Sequence, residues 1–530
     1  MTSETIYDAI TMIPDRLIEE AGAYTFRKRS NWKRLAALAA AFALVVGLGA
    51  GVATGRIPII GLGGAGSGGG GNGGGENGYS YMHYVGPVLP LTATGDTAGV
   101  TAARHVDYDF SPYITERRAY LPGENVPGEP SYYNYYQSEA IVTDAYTLTN
   151  TTGEDKTLSL LYPVELNLNE SLDRLPTITV DGKAVETTLH AAPYSGGFGD
   201  AWGGHDPNAR LNLDFITEWE GYVDLLSDGS YQAAAFAPYP ELTVPITVYK
   251  VDDYVVAPTD AVNPSLQFSY HIDYDRTVVM SYGANGGSND FAAGVGNRMV
   301  GGLGHEYRPP EPMYVIFYGD DIDGYTLQGY ANMGGKAGTE IDVTATVTRY
   351  ETTMDAFLRQ VVDAWFADGG RYETVYGKQD RTVTSVAPRE MLYGLAADLL
   401  ASYGVLSDDP TYRYDYGMLE DVYEAYTMDR VLYLAFDVTV PAGGSAEVTA
   451  SMRKDGSYDF YGKGMNVHGY DLATRLGSTL RFTEQTASVS NTAEITIAEN
   501  NFGFDLSKGI TAVMLQNDTE HYWMQIARKP

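Results

Sequence analysis

Residues 138–165 read SEAIVTDAYTLTNTTGEDKTLSLLYPVE, and this stretch decides the fold class. Polar and apolar residues alternate through 138–150 and again through 156–165, with the turn cluster TTGED between them at 151–155. Alternation with a period of two residues indicates half-buried strands, so we predict a β-hairpin here. A second hairpin is predicted where 177–180 and 184–189 flank Asp181-Gly182, because this dipeptide accepts the positive φ of a tight turn.

The same alternation recurs along most of the chain beyond residue 80. It is found at 242–251, 266–274, 277–282, 313–318, 325–331, 341–350, 431–440, 447–452, 493–498, 511–515 and 522–526. Helical periodicity is confined to 215–226, 354–366, 389–403 and 415–426. We therefore predict a mainly-β protein with two antiparallel β-sandwich-like domains, 81–260 and 261–530, the second with a helical insertion at 352–428. The glycine-rich stretch 283–304 is predicted to be a long loop.

The N-terminal part has the pattern of a membrane anchor. Residues 35–53 (LAALAAAFALVVGLGAGVA) carry no charge over 19 residues, which reaches the length of a spanning helix. Five basic residues flank it on the N-terminal side, whereas on the C-terminal side Arg56 is followed by no Lys or Arg until Arg104; the five are Arg27, Lys28, Arg29, Lys33 and Arg34. The positive-inside rule then gives a cytoplasmic segment 1–34, a transmembrane helix 35–55, a glycine-rich linker 56–80 and an extracellular remainder. A cleaved signal peptide with Gly51 and Ala53 before the cut is the alternative.

Composition excludes several classes of function. The chain has no cysteine, which excludes disulfides, Cys-ligated zinc and a cysteine nucleophile. It carries 68 acidic and 35 basic residues, a net charge of −33. We therefore expect no nucleic-acid partner, since binding phosphates requires a basic surface. Tyrosine is abundant, with clusters at 132–136 and 412–416, and exposed tyrosines can contact glycans or proteins.

Two groups of residues are candidate metal ligands. His271, Asp273 and Asp275 are spaced at i, i+2 and i+4 on a predicted strand, which would place them on one face. An imidazole and two carboxylates can bind zinc, manganese or iron, but a solvated strand face explains the same pattern and is the interpretation we favour.

The second group is Asp320, Asp321 and Asp323, followed by Gly324. Aligning this glycine with position 6 of an EF-hand loop places Gly319 at position 1 and Tyr330 at position 12. Neither residue has the carboxylate that an EF-hand loop carries at these positions. We predict an ordinary acidic turn between two strands. No catalytic or cofactor-binding residue is predicted, and a structural calcium ion is the one cofactor that this turn allows.

Two stretches resemble known classes of protein. ETIYDAITMIPDRLIEEA at 4–21, followed by RKRSNWKRLAALAAAFALVVG at 27–47, resembles the start of uncharacterised single-pass surface proteins of Clostridia-type Gram-positive bacteria. Some proteins of this layout are membrane-bound anti-sigma factors. TLTNTTGEDKTLSLLYPVE at 147–165 with LPTITVDGKAVETTL at 175–189 is similar to secreted bacterial β-sandwich domains.

These observations lead to three functional hypotheses. The first is a non-enzymatic, membrane-anchored surface protein that binds or senses an extracellular ligand, either a protein or a glycan. The second is a transmembrane regulator of the anti-sigma type, in which residues 1–34 bind a cytoplasmic partner. The third is a surface hydrolase. The ligand, the oligomeric state and the role of the stretch 283–304 stay open at the level of sequence.

Overall fold

The computed structural model describes residues 83–119, 132–168, 174–192, 216, 218–303, 311–333, 335–367, 388–402, 406, 419, 429–458 and 466–529. Of these residues, 51% lie in strands and 13% in helices, so the predicted mainly-β class is confirmed. The predicted segments 1–34, 35–55 and 56–80 lie outside the described residues. Among the helices that are described, none has the length and apolar character needed to cross a membrane.

The strands are numbered in chain order. They are β1 (Pro87–Val88), β2 (Thr92–Ala93), β3 (Val100–Asp109), β4 (Thr115–Ala119), β5 (Tyr132–Tyr136), β6 (Glu139–Asn150), β7 (Lys156–Leu166), β8 (Thr177–Val180), β9 (Lys183–Ala184), β10 (Thr188–Ala191), β11 (Pro245–Val256), β12 (Ser265–His271), β13 (Val278–Tyr282), β14 (Gly286–Asp290), β15 (Val295–Val300), β16 (Met313–Tyr318), β17 (Tyr325–Tyr330), β18 (Glu340–Ile341), β19 (Val343–Thr353), β20 (Arg430–Val440), β21 (Ser445–Asp455), β22 (Ser457–Tyr458), β23 (Val467–Ala473), β24 (Phe482–Ser490), β25 (Ile495–Asn500), β26 (Ala512–Met514) and β27 (His521–Arg528).

The strands form five larger sheets and the separate ribbon β4–β5. Sheet I has the order β26-β24-β3-β6-β21-β8-β9, and sheet II has the order β10-β20-β7-β2. Sheet III is β1-β23-β27-β25, with β22 also paired to β23. Sheet IV is β13-β16-β11-β19, and sheet V is β14-β15-β12-β17-β18.

Alternation along the strands builds the cores between these sheets. In β6 the buried positions follow every second residue, and Val142 and Leu148 join a cluster with Leu160 of sheet II and Leu472 of sheet III. A separate cluster links sheets IV and V through buried residues such as Val251 and Phe268. Fully burying a side chain of this size contributes about 1.5–3 kcal/mol, so each cluster is a main source of stability.

The predicted hairpin at 138–165 is wrong, although both of its strands are present. β6 belongs to sheet I and β7 to sheet II, so the connection at 151–155 crosses between two layers. The connection at 441–444, between β20 and β21, crosses in the same way and packs beside it. The Asn150 Nδ2 atom donates to the carbonyls of Glu154 (2.8 Å) and Val440 (3.1 Å), and the Gly443 amide donates to Thr152 O (2.9 Å).

Strand pairing groups the chain differently from the predicted boundary between 260 and 261. β7 pairs with β20 along eleven residue pairs, although they lie on opposite sides of that boundary. β11 falls in the predicted first domain, but it pairs with β16 and β19 of sheet IV. Sequence alternation could not reveal this grouping, because every antiparallel strand alternates in the same way whichever sheet it joins. Residues 257–260 form a loop between β11 and β12.

The stretch 283–304 is not a single long loop. It contains β14 and β15, which pair antiparallel in five residue pairs. Glycine serves packing here, because a Cβ on Gly296 would lie 2.4 Å from ring atoms of Tyr270. The sequence signal was misleading because glycine is depleted in most strands.

Four helices are described, and their bounds lie close to three of the predicted segments. They are α1 (Trp219–Leu226), α2 (Ser230–Ala234), α3 (Met354–Ala367) and α4 (Arg389–Ser402). Met354, Phe357 and Val361 of α3, which recur at helical spacing, are buried. Of the predicted helix 415–426, only residue 419 lies within the described residues.

Candidate functional site

The first predicted group does not share a strand face. β12 ends at His271, and Asp273 begins a turn in which its Oδ1 accepts a hydrogen bond from the Asp275 amide at 3.0 Å. The carbonyl oxygen of Asp273 accepts a second bond from the Thr277 amide at 2.8 Å. The i, i+2, i+4 spacing therefore loses its strand geometry after the first residue. No cluster of three or more metal-binding side chains occurs within the described ranges.

The second predicted group lies in the turn between β16 and β17, as the sequence indicates. Arginines face two of its three carboxylates. The Arg349 Nε atom donates to Asp321 at 2.8 Å, and the Arg276 guanidinium is 2.5 Å from Asp320. Asp323 is exposed. Two neighbouring guanidinium groups supply positive charge here, which disfavours a calcium ion at the same carboxylates.

The outer face of sheet I holds a serine–histidine contact that the sequence did not reveal. The Ser488 Oγ atom is 3.1 Å from His105 Nε2 and donates to Asp107 Oδ1 at 2.5 Å. A catalytic serine requires a histidine whose other nitrogen is oriented by a carboxylate. Here His105 Nδ1 faces the Thr486 hydroxyl at 2.8 Å instead, so the group is a polar ladder across the parallel pair β3–β24.

A cleft with charged walls lies where β7, β21 and the chain before β1 meet. The cleft is small, with a volume of about 70 Å³. Charged and imidazole side chains line it from several elements: His83, Glu165, Arg174, Asp429, Arg453, Lys454 and Asp455. Residues of both charge signs thus share one concave surface.

Two ionisable groups of this cleft are removed from solvent to different degrees: Lys454 is buried and Asp429 is half-buried. Burial raises the pKa of Asp429, although the charges of His83 and Lys454 favour its ionised form. Burial lowers the pKa of Lys454, and this effect is opposed by the carboxylates of Glu165 and Asp471. The Lys454 ammonium donates to the carbonyl of Val85 at 3.1 Å.

Residues 83–88, which we name the N-terminal strap, form one wall of the cleft. The backbone of His83 exchanges two hydrogen bonds with Tyr458, at 3.2 and 3.0 Å. The Val85 amide donates to Ser457 Oγ at 2.9 Å, and the Tyr84 hydroxyl donates to Asp471 Oδ2 at 2.5 Å. The strap then continues into β1, which runs parallel to β23.

Behind the strap lies a buried imidazole–carboxylate pair. His521 Nε2 is 2.9 Å from the same Asp471 oxygen that Tyr84 contacts. The His521 ring stacks on Trp219 of α1, with centroids 4.5 Å apart and planes inclined by 5°. Since α1 also supplies Tyr222, whose pKa is raised by burial and by the Glu165 charge, this helix covers the inner end of the polar cluster.

Sequence reasoning missed this site because its residues are distant along the chain. Asp471 and His521 come together only through the pairing of β23 with β27, and Tyr84 is 387 residues from Asp471. No local spacing signals such a contact. No protein-family model and no curated protein matches the sequence. The site therefore stands on its geometry: a cleft with donors and acceptors of both charge signs, suited to a polar ligand.

Proposed function

We propose that this chain is a non-enzymatic protein, anchored in the cell membrane by one helix, whose β part binds an extracellular protein or glycan in the charged cleft. The observation that supports this proposal is the pairing of a buried lysine, Lys454, with a half-buried carboxylate, Asp429, in the lining of one concave surface. Burying ionisable groups costs free energy that a folded core could avoid with apolar residues. Such groups are therefore concentrated at binding and active sites.

We further infer that the extracellular part consists of two β-sandwich-like units. The core that links sheets I, II and III supports the first, and it continues into one side of sheet IV and helices α3 and α4. The core between sheets IV and V supports the second. The first unit carries the cleft and is assembled from residues before 192 and after 429. This arrangement holds the cleft on paired strands, which position side chains more firmly than loops do.

The binding proposal is tested by thermal unfolding of the full chain in detergent micelles. Soluble cell-wall glycopeptides and neutral oligosaccharides are the probes. A ligand at one hundred times its Kd should stabilise the protein by about 2.7 kcal/mol. We expect the effect to be lost in Asp429→Asn and kept in Glu520→Gln, whose exposed carboxylate pairs with Arg475 instead. An equal rise of the unfolding midpoint in both variants would mean that the ligand binds outside the cleft.

An anti-sigma-type regulator is the second candidate, and the resemblance of residues 4–47 supports it. In this case the β part would sense the ligand and residues 1–34 would bind a sigma factor. Immobilised peptide 1–34 should then retain a purified sigma factor from the same cell. A peptide in which Ile6, Ile10 and Ile13 are replaced by Ser is the control, because these apolar residues recur at helical spacing.

A surface hydrolase is the third candidate, and the His521–Asp471 pair is the observation that favours it. A buried imidazole held by a carboxylate is one component of a general base. Hydrolysis of cell-wall glycopeptides that disappears in His521→Gln, while the thermal unfolding midpoint is kept, would support this activity over simple binding.

A further inference from the structure

The N-terminal strap has far less backbone pairing than the strands it lies on. β1 pairs with β23 over only two residues, Pro87 and Val88, and His83 adds one isolated bridge. For comparison, β6 pairs with β21 along eleven residue pairs. Short pairing with few backbone hydrogen bonds is characteristic of segments that open locally while the rest of a protein stays folded.

Besides the buried side chains of Tyr84 and Val88, the strap makes contacts with polar groups of the cleft. Lys454 donates to the Val85 carbonyl, and Tyr84 donates to Asp471. Gly86 has a φ of +70°, and a Cβ there would lie 2.1 Å from Glu165 Oε2 and 2.3 Å from the Tyr222 hydroxyl. The docked strap is thus matched to the ionisable groups behind it, and their arrangement determines how firmly it is held.

The strap also has a special place along the chain. It follows the glycine-rich stretch 61–78, in which 12 of 18 residues are glycine. His83, Val85, Pro87 and Val88 line the cleft itself, so a change in the cleft reaches the strap directly.

We propose that the N-terminal strap is a latch: it undocks locally while the sheets stay folded, and the polar groups of the cleft hold it in place. This proposal rests on the proposed function in one respect: a ligand bound in the cleft would determine whether the strap is docked. The linker that precedes the strap would then respond to the ligand. The undocking itself is independent of any ligand and can be measured alone.

An engineered disulfide tests the undocking. His83 and Tyr458 exchange both backbone hydrogen bonds, a geometry with Cα atoms about 5.5 Å apart, within the range that a disulfide spans. The chain has no other cysteine, so the double variant His83→Cys/Tyr458→Cys can form only this bond within one molecule. Hydrogen exchange is followed in the full chain in detergent micelles, at the amides of residues 85 and 458.

We expect both amides to exchange at least tenfold faster than the Ala93 amide in the wild-type chain. Ala93 is the matched reference, because it lies in the equally short strand β2 and its amide also donates to a side-chain hydroxyl, Thr479 Oγ1. The oxidised double variant should exchange at the Ala93 rate, and reduction should restore the fast exchange. Equal rates at all three amides in the wild type would overturn the latch.

The role of the cleft is tested by two substitutions. Lys454→Met removes the donor to the Val85 carbonyl, and Tyr84→Phe removes only the hydroxyl that contacts Asp471. Each should accelerate exchange at residue 85 a further tenfold or more without changing Ala93. Lys508→Met, which removes an exposed lysine paired with Asp505, should change neither. If Lys454→Met does not fold, Tyr84→Phe decides, and acceleration of all amides together would refute local undocking.

The two proposals fail in different measurements. If no probe shifts the unfolding midpoint through the cleft, the proposed function fails, while the exchange rates of residues 85 and 458 are unaffected. If those amides open only with the whole fold, the latch fails, while ligand binding to the cleft can still be observed.

Discussion

At the scale of single residues, the most demanding interaction is the ion pair of Arg104 and Asp144. Two bonds of 2.8 Å join the guanidinium to both carboxylate oxygens, and both side chains are fully buried. Arg104 also donates to the Ala473 carbonyl at 2.7 Å, and Tyr146 donates to Asp144 at 2.7 Å. Nearly every polar atom of the pair thus has a partner, which offsets the cost of desolvation.

Breaking this pair should be costly. We predict that Asp144→Asn destabilises the protein by about 3–5 kcal/mol, because it leaves a buried guanidinium without a counter-charge. Urea unfolding of the full chain measures the effect. Glu520→Gln is the control, since its pair with Arg475 is exposed and should contribute below about 1 kcal/mol. A small loss at Asp144 would mean that water reaches Arg104.

A second prediction concerns pH. Burial, assisted by the nearby charge of Arg528, lowers the pKa of His468 to about 4, and its Nδ1 lies 2.9 Å from the Tyr113 hydroxyl. An unfolded histidine titrates near pH 6.5, so between about pH 6.5 and 4 the unfolded chain binds a proton that the folded chain rejects. Stability should therefore fall by roughly 3 kcal/mol as the pH is lowered through this window, and no further below it on account of this group.

Unfolding in urea at pH 7.5, 5.5 and 4.5 measures this dependence. His468→Gln should remove the part of this pH dependence that is due to His468. If the free energy of unfolding of His468→Gln falls with pH as much as that of the wild type, other groups cause the acid sensitivity.

At the scale of secondary-structure elements, β20 shows both the reach and the limit of periodicity. Alternate residues of the predicted strand 431–440 lie in the core shared with sheet I: Leu432, Leu434, Phe436, Val438 and Val440. However, Val431 and Tyr433 on the opposite face are also buried, in a cluster with Trp219 and Tyr222 of α1. Alternation cannot predict this second burial, because the helix that covers the strand is about 200 residues away in sequence.

The prediction for β20 is a large loss of stability on truncation of its core face. Leu434→Ala should cost about 2–5 kcal/mol, since the side chain is 1% exposed and its removal leaves a cavity. Thr439→Ala, at an exposed position of the same strand, is the matched control and should cost below about 1 kcal/mol. Equal losses in urea unfolding would show that the core collapses around the cavity or that β20 is loosely packed.

Turns show the same division between local and distant causes. Asp181 and Gly182 have φ values of 48° and 73°, as their residue types predict, and β8 pairs with β9 across them. The connection at 151–155 has equally good turn residues but crosses between sheets. What decides there is the contact of Asn150 with the 440–441 backbone, some 290 residues along the chain. Local chemistry predicts that a chain turns, and distant packing decides which sheet it joins.

At the scale of the whole molecule, the candidate site depends on distant pairing even more. Its residues come from the strap, β7, β21, β23 and β27, and each occupies an ordinary position in its own strand. The sequence predicted the class of fold from alternation, which each strand carries independently. It could not predict the cleft, because the contact of Tyr84 with Asp471 depends on the pairing of β1 with β23 in sheet III, between segments far apart in the sequence.

The last prediction concerns how the molecule is placed relative to the membrane. The uncharged stretch 35–53 follows five basic residues, and residues 57–530 carry 28 basic and 63 acidic groups, a net charge of −35. Translocating the basic flank would be unfavourable, so the acidic β part should lie outside and residues 1–34 inside.

In protoplasts that express the chain with an N-terminal epitope, added protease should remove everything beyond about residue 61 and leave a small tagged fragment in the membrane. Permeabilised protoplasts are the control, because there the tag should be digested as well. A mature N-terminus near Thr54 would show instead that the apolar segment is a cleaved signal. The strap would then belong to a released protein that is not linked to the membrane.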